Sequence, residues 1–246
     1  MNIFDTEWNV VFNVGVKCNA LDITKTAGVR YFSSPWDNMD TVRGLTQTAD
    51  LMASGFENYM VDINDWIIWY TEKQQQIRHR DYKWCYYPHM DFQWVKNYTT
   101  EEDWIKWKRS KEGDLNQIWE GFSETYTKRQ QRLSSILKSD NKILLLRIDV
   151  DNRQLRKIRN KNKTEHLNRF METMTKAYPN KNWGWLYLYC DENRNLSCDY
   201  DNCHLECIPP GKSRYRSKWI VDKLKELKLL PRDEMKPYDF AEEEVG

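Results

Sequence analysis

A chain of 246 residues with 40% hydrophobic, 14% aromatic and 30% charged residues has the composition of a folded protein, which excludes long disordered segments. The 38 Lys and Arg against 37 Asp and Glu give a net charge of +1, so no overall field attracts nucleic acid or an anionic membrane. The sequence has no apolar run long enough to span a bilayer, and its first seven residues have neither the basic nor the apolar region of a signal peptide, so none is expected. We therefore expect a soluble, cytoplasmic protein with no membrane span and no nucleic-acid partner.

The first third of the chain alternates between strand and helix patterns. An apolar run predicts a buried strand over 10–16, and a helix over 19–27 ends at Gly28. A second short strand is predicted over 29–32, followed by a loop and a helical pattern from 39 to about 56. These elements predict a βαβ unit at the start of the chain.

The last third of the sequence has a clearer hydrophobic periodicity than the middle third. Residues 60–110 lack a clean period, and short strands and loops are expected there around His89. The later predicted elements alternate between helix and strand: helix 115–137, strand 143–148, helix 166–178, strand 183–189, strand 204–208 and helix 217–227. This order predicts an α/β fold: a three-layer, mainly parallel, Rossmann-like sheet with helices on both faces. We expect a single domain over 1–238 and an acidic, frayed tail over 239–246.

Ligands of open parallel sheets bind beyond the carboxyl ends of the strands, and the first such loop here contains Cys18. A thiol at a helix start beside Lys17 has its thiolate stabilised by the helix dipole and by the neighbouring charge, which suits a nucleophile. Lys17 and Asn19 are also candidates for contacts with a phosphorylated cofactor. The alternative is that Cys18 is a small buried apolar residue.

The second loop follows the strand over 143–148 and contains Asp149 and Asp151. Two carboxylates at this spacing resemble the Asp-x-Asp metal site of many glycosyltransferases. Their oxygens suit a divalent cation, Mn or Mg, held against a diphosphate. The alternative is an ordinary acidic strand end.

The third loop, 209–217, carries three cations before the last predicted helix. Lys212, Arg214 and Arg216, together with Ser213 and the free amides of a helix start, suit a phosphate or diphosphate. It is not a Walker A loop, because Glu206 stands where that motif has its first glycine. The alternative is a solvated basic loop.

Three further side chains are candidates for acid–base chemistry. His89 lies among aromatic residues two positions before Asp91, and is a candidate general base, substrate contact or structural histidine. Asp37 follows Trp36 in a loop near the expected sheet edge and is a candidate catalytic base, or alternatively the cap of a helix that starts near Met39.

The cysteines raise a separate question. Without an export signal, all six are expected to be free thiols. Four of them lie close to one histidine late in the sequence: Cys190, Cys198, Cys203, His204 and Cys207. No Cys-x-x-Cys pair occurs, so the spacing does not favour zinc.

Segments over roughly residues 9 to 190 together resemble a family of unknown function described as papain-like cysteine peptidases. Four of the resembling segments are Gly15-x-x-Cys18-Asn19, Gly28-Val29-Arg30, Phe56-Glu57-Asn58-Tyr59, and Tyr126-x-x-Arg129-x-x-Arg132-Leu133 leading into Ile143 to Arg147. Two further segments differ from the family pattern. Ser34-Pro35-Trp36-Asp37 stands where the family has Pro-Phe-Asp-Trp, and His89-Met90-Asp91-Phe92 stands where it has His-Asp-Phe. The resemblance implies that Cys18 is a nucleophile, that His89 is its base, and that Asp37 or Asp91 orients the histidine.

The predicted fold favours a different chemistry, since papain-like enzymes place the cysteine on a helix against an antiparallel sheet. The Gly15-x-x-Cys18-Asn19 start also resembles that of some polysaccharide-building enzymes. A parallel sheet, a basic loop and a carboxylate base suit a glycosyltransferase that moves a sugar from a nucleotide-sugar donor to a glycan acceptor hydroxyl. The alternatives are a papain-like thiol hydrolase and a non-catalytic carbohydrate- or protein-binding module.

Overall fold

The structure of the protein is a computed structural model. It describes residues 2–15, 19–37, 39–40, 45–57, 59–70, 75–81, 85–86, 102, 105–106, 114–149, 164–180, 182–190 and 196–238. The helices and strands follow in chain order: β1 (Glu7–Trp8), β2 (Val10–Asn13), α1 (Asn19–Ala27), β3 (Met39–Asp40), α2 (Leu45–Ala53), β4 (Trp66–Tyr70), β5 (Gln75–His79), β6 (Cys85–Tyr86), α3 (Asn116–Lys138), β7 (Ile143–Asp149), α4 (Thr164–Ala177), β8 (Trp183–Tyr189), β9 (Cys203–Cys207), α5 (Ser213–Leu224) and β10 (Lys228–Leu229).

A parallel sheet with the order β2-β7-β8-β9 forms the centre of the molecule. Its two middle strands read as continuous apolar runs because helices cover both of their faces. The register pairs Val10 with Ile143, and Ile143 with Trp183. The predicted parallel sheet is therefore confirmed.

Helices cover both faces of this sheet, as predicted. Side chains that alternate along the strands separate into two buried cores. One core, called here the α2-side core, contains Phe12, Leu145 and Trp185 together with side chains of α2, α3 and α4. The other core, called here the α1-side core, lies on the opposite face of the sheet and contains Val11 and Leu144 with side chains of α1 and α5. The α/β, three-layer architecture is confirmed.

A second, antiparallel sheet with the order β3-β6-β5-β4 is formed by the middle of the chain. Trp66 of β4 and Ile77 of β5 are buried in the α2-side core, together with Phe122 of α3. The antiparallel sheet thus shares its core with one face of the parallel sheet.

The chain returns to its beginning after α5. Strand β10 pairs in parallel with β1, so that Glu7 lies opposite Lys228. The fully buried ring of Trp8 packs directly against Gly184 of β8, and its Nε1 donates to the carbonyl of Ile3 at 2.9 Å. This contact fixes the amino end of the sheet on the α1 side.

The predicted strand over 29–32 is wrong, because these residues belong to the turn and loop that follow the end of α1 at Ala27. Gly28 has a left-handed φ of +73°, and the amide of Val29 donates to the carbonyl of Thr24 at 3.2 Å, as in a Schellman cap. The apolar residue Phe32 in this segment packs in the core instead, where its ring stacks on that of Phe12 with centroids 6.2 Å apart.

The predicted helix over 39–56 is wrong at its start, because the structure has strand β3 at Met39–Asp40 and begins α2 only at Leu45. Met39 pairs with Tyr86 of β6. That pairing joins segments far apart in sequence, which local periodicity cannot predict. None of the helices in the described ranges combines the length and apolar character needed to cross a bilayer.

Candidate functional site

The carboxyl edge of the parallel sheet brings together the ends of its strands. Asp149 of β7 lies opposite Tyr189 of β8, which lies opposite Cys207 of β9. Two interstrand spacings, about 10 Å, therefore separate Asp149 from the end of β9. Helices α1 and α5 follow β2 and β9 and pack against each other on the same face, so both helices begin near this edge.

The basic loop after β9 places two cations in solvent at the start of α5. Lys212 and Arg214 are exposed, and the side chain of Lys212, the N-cap residue of α5, makes no cap hydrogen bond. Arg216 is only half-buried, and its Nε donates to the carbonyl of Gly211 at 2.8 Å, which closes the loop on itself. Ser213 is the first residue of α5. The loop thus offers two side-chain cations and backbone donors to an anion.

The carboxylate of Asp149 occupies the end of β7. The hydroxyl of Tyr187 donates to its Oδ2 at 3.1 Å, and the residue is half-buried. Its predicted partner in cation binding, Asp151, lies outside the described residues. Among the side chains that the structure describes, no three His, Cys, Asp or Glu residues come together as a metal site.

The carboxylate of Asp37 is buried, with only 1% of the residue exposed. The Arg30 guanidinium donates to Oδ2 at 2.6 Å, and the backbone amide of Ser34 donates to the same oxygen at 2.7 Å. Burial raises the pKa of Asp37, while Arg30 and Arg129 act in the opposite direction. The hydroxyl of Tyr126 donates to the Asp37 carbonyl at 2.9 Å.

These contacts give Asp37 a place in the fold different from the predicted helix cap. Its side chain accepts the amide of Ser34, three residues earlier, and Met39 lies in a strand. The expectation that Asp37 caps a helix starting near Met39 is therefore wrong. As a base, its carboxylate would first have to become accessible to an acceptor, because it is covered in this structure.

Two side chains hold the end of β2 at this edge. The hydroxyl of Ser34 donates to the carbonyl of Asn13, and the fully buried Arg147 donates through Nη1 to the carbonyl of Val14 at 3.1 Å. Gly15 follows with a left-handed φ of +73°. The backbone that leads to the Cys18 loop therefore leaves the sheet in a fixed direction.

Sequence reasoning named the arginines of this region only as parts of the resembling segments and assigned them no role. Arg30, Arg129 and Arg147 surround the end of β2 and the Asp37 loop, and each is at least partly buried. A signal was present for Arg147, because it is the one cation inside the apolar run 143–148 and therefore needed buried partners. The periodic face of α3 also included Arg129 and Arg132, both buried.

His79 shows how the fold uses a histidine among aromatic rings. It is 3% exposed, stacks on Tyr59 with centroids 5.4 Å apart, and meets Trp66 edge-on at 5.0 Å. Burial lowers the pKa of this imidazole, and its Nδ1 accepts the amide of Asp81 at 3.2 Å. The predicted site histidine, His89, lies outside the described residues.

The structure therefore places some predicted site residues at one edge and does not describe others. Asp149, Lys212, Arg214 and Arg216 belong to the carboxyl edge, and Asn19 is the first residue of α1. The remaining predicted residues lie outside the described ranges: Lys17, Cys18, His89, Asp91 and Asp151. A comparison of the chain with protein-family models, curated proteins and solved structures finds no match in any of the three.

Proposed function

We propose that the chain is a glycosyltransferase that moves a sugar from a nucleotide-sugar donor to a hydroxyl of a glycan acceptor. The observation that carries this proposal is the row formed by Asp149, Tyr189 and Cys207, which sets the backbone of Asp149 about 10 Å from the end of β9, the strand that leads into the loop with Lys212 and Arg214.

In this proposal the donor diphosphate binds at the start of α5. Lys212 and Arg214 are exposed there and provide charge-assisted hydrogen bonds, and the first backbone amides of the helix add further donors. Arg216 holds the loop through Gly211, so its contribution is to the shape of the loop.

Asp149 would hold a divalent cation against the diphosphate, with Asp151 as the second ligand. A carboxylate oriented by the hydroxyl of Tyr187 suits the hard-oxygen preference of Mg²⁺ or Mn²⁺. If bound there by Asp149 and Asp151, such a cation would supply positive charge against the diphosphate. Tyr187 acts by fixing the direction of the carboxylate.

Deprotonation of the acceptor hydroxyl requires a base within about 3 Å. His89 and Asp91 are the candidates in this proposal, because the carboxylate of Asp37 is covered and engaged by Arg30 and Ser34. Asp37 then contributes by holding the loop that borders the site.

The proposal is tested by a thermal-shift screen of nucleoside diphosphates and nucleotide sugars, with and without Mn²⁺. A ligand at 100 times its Kd stabilises the folded chain by about 2.7 kcal/mol, which raises Tm by roughly 5–10 °C for a chain of this size. For the ligand that binds, Arg214→Ala should weaken binding roughly 10-fold, because one charge-assisted hydrogen bond to phosphate is lost.

Lys218→Ala is the matched control for Arg214→Ala. Lys218 is also exposed, and lies one turn further along α5. Its removal should leave the affinity within about twofold if binding depends on the helix start rather than on general positive charge. Absence of any shift across the screen, or equal effects of the two variants, contradicts the proposal.

A thiol hydrolase is the second candidate. It is favoured by the helix α1, which begins at Asn19, immediately after Cys18 in the sequence. A helix start lowers the pKa of a neighbouring thiol and so activates it as a nucleophile. In that mechanism His89 would be the base that accepts the thiol proton.

A further inference from the structure

Strand β9 forms one outer edge of the parallel sheet. It pairs with β8 and, among the strands that the structure describes, with no other. All five of its residues, Cys203–Cys207, are half-buried, whereas the four residues of β2 at the opposite edge are buried. The edge formed by β9 is therefore the more accessible of the two.

The hydrogen bonds at the two ends of β9 show which of its backbone groups point away from β8. The amide of Trp185 donates to the carbonyl of Asn202 at 2.8 Å, and the amide of Ile208 donates to the carbonyl of Tyr189 at 2.6 Å. In a parallel pair every second residue of a strand bonds to its neighbour, so the even-numbered residues from 202 to 208 face β8. Leu205, midway between these two bonds, therefore directs its amide and its carbonyl away from β8.

Two polar side chains flank Leu205 on one face of β9. His204 and Glu206 share this face because they are two positions apart, and the imidazole Nε2 lies 3.4 Å from Oε2 of Glu206. Nζ of Lys223 in α5 lies 3.3 Å from the other oxygen of Glu206, and the ring of Phe4 meets the imidazole edge-on with centroids 5.2 Å apart. The fold thus holds both side chains in place, while 37% of the His204 side chain and 25% of the Glu206 side chain stay exposed.

We propose that β9 is a dimerisation surface, on which β9 of a second copy of this chain pairs in the antiparallel direction. A two-fold axis at Leu205 places this residue opposite itself in the second copy. The same register places His204 of each copy opposite Glu206 of the other, because the two strands run in opposite directions from the axis. The inference is independent of the proposed transferase activity.

The backbone of β9 fits this register. The outward amide and carbonyl of Leu205 exchange two hydrogen bonds with the same groups of the second copy. His204 and Glu206 then fall at positions without backbone hydrogen bonds, where the Cα atoms of an antiparallel pair are about 4.5 Å apart and the side chains are closest. The two parallel sheets join into one continuous sheet with the order β2-β7-β8-β9-β9-β8-β7-β2.

Charge complementarity identifies the occupant of this edge as a second copy. Edge strands that avoid pairing carry charges that repel a neighbouring strand. In β9 an imidazole and a carboxylate instead lie symmetrically about Leu205, so antiparallel pairing brings unlike groups together twice. An imidazole donates an N–H to a carboxylate whether it is protonated or neutral. Only a strand with the same pattern provides both matches.

The first test measures the molar mass of the full-length chain by light scattering and sedimentation equilibrium over a dilution series. We expect a dimer, with twice the chain mass of 29.9 kDa. Under mild oxidation Leu205→Cys should link to itself across the axis, because Cα atoms about 5.5 Å apart suit a disulfide. Val61→Cys is the control, because Val61 is 73% exposed and lies outside β9. A monomer at every concentration, or a dimer that links no faster through Leu205→Cys than through Val61→Cys, overturns the inference.

The second test exchanges the charges on β9. Glu206→Lys should weaken dimerisation roughly 10-fold or more, because both favourable pairs are replaced by an ammonium opposite an imidazole. His204→Glu combined with Glu206→Lys should restore the dimer, which also shows that the single variant did not simply fail to fold. Glu226→Lys is the matched control: Glu226 also binds Lys223, at 2.9 Å, but lies beyond α5 and should change the affinity by no more than about twofold. An undiminished dimer in Glu206→Lys, or no recovery in the double variant, contradicts the proposed register.

Discussion

Hydrogen bonds of Asp37 hold the loop that borders the carboxyl edge of the parallel sheet. Its carboxylate accepts from Arg30 and from the Ser34 amide, while its carbonyl accepts from Tyr126 of α3. Ser34 in turn binds the carbonyl of Asn13. One buried acid therefore connects the segment after α1 with both a helix and the central sheet.

Sequence reasoning placed Asp37 near the sheet but could not predict how its charge is used. Its pairing with Arg30 depends on a turn whose shape follows from burial of Phe32 and Trp36 in the core. The proximity of Arg129 depends on how α3 docks. These are tertiary contacts, and an acidic residue in a loop gives no local signal of them.

We predict that Asp37→Asn destabilises the fold. Asn keeps the shape but removes the charge, so Arg30 is left partly buried without its counter-ion. Loss of one partner of a buried pair costs about 3 kcal/mol, which lowers Tm by roughly 6–12 °C in a chain of this size. Differential scanning calorimetry at neutral pH measures the change.

The exposed Asp50 of α2 provides the control for this prediction. Asp50→Asn should change Tm by no more than about 2 °C, because a surface carboxylate contributes little. If Asp37 is instead a catalytic base, Asp37→Asn keeps the Tm of the unmodified chain and loses turnover alone. An unchanged Tm would therefore contradict the structural role described here.

Helices and strands were predicted correctly where their own sequence pattern determines them, and were missed where contacts distant in sequence do. The strand predicted over 183–189 has the same bounds in the structure, and the helix over 19–27 also agrees. Both have strong apolar patterns and clear ends. The strand β3 was missed because its two residues are fixed only by pairing with β6.

Strand β8 requires glycine at position 184, which the hydrophobic pattern of the strand did not indicate. A Cβ at this position of β8 would lie 2.5 Å from Cη2 of Trp8, whose ring is fully buried. The missing side chain therefore lets the Trp8 ring cross the strand. Glycine in the interior of a strand is otherwise unfavourable, so its presence indicates a close approach.

We predict that Gly184→Ala destabilises the chain by about 1–3 kcal/mol, because the indole must move within a fully packed core. Urea unfolding followed by tryptophan fluorescence measures the change. In a double-mutant cycle with Trp8→Phe, which removes the atom that the new Cβ would meet, the two effects should not add.

Additive effects would contradict the contact between Gly184 and Trp8. Gly28→Asn is a suitable control, because nothing lies within 4 Å of a Cβ at Gly28 and asparagine tolerates its left-handed φ. We expect that variant to lose less than about 1 kcal/mol.

Across the whole molecule, the parallel sheet determines which loops can cooperate. The carboxyl edge receives the ends of β2, β7, β8 and β9, so the sequence could predict that Asp149 and the basic loop share one edge. It could not predict the buried arginines, because their partners are carbonyls and carboxylates brought together only by the docked layers.

The two proposed chemistries make different demands on Cys18. Transfer of a sugar to a hydroxyl needs a base but no thiolate, so Cys18→Ala should keep substantial transferase turnover. A thiol hydrolase instead loses essentially all activity with this variant, since the covalent intermediate cannot form. We expect the first outcome, measured by donor turnover and acceptor glycosylation with the nucleotide sugar found in the thermal-shift screen. Cys190→Ala is the control for nonspecific effects of removing a thiol, because Cys190 is a half-buried cysteine directly after β8. Selective labelling of Cys18 by iodoacetamide near neutral pH, together with lost turnover and intact donor binding in Cys18→Ala, would favour the thiol enzyme instead.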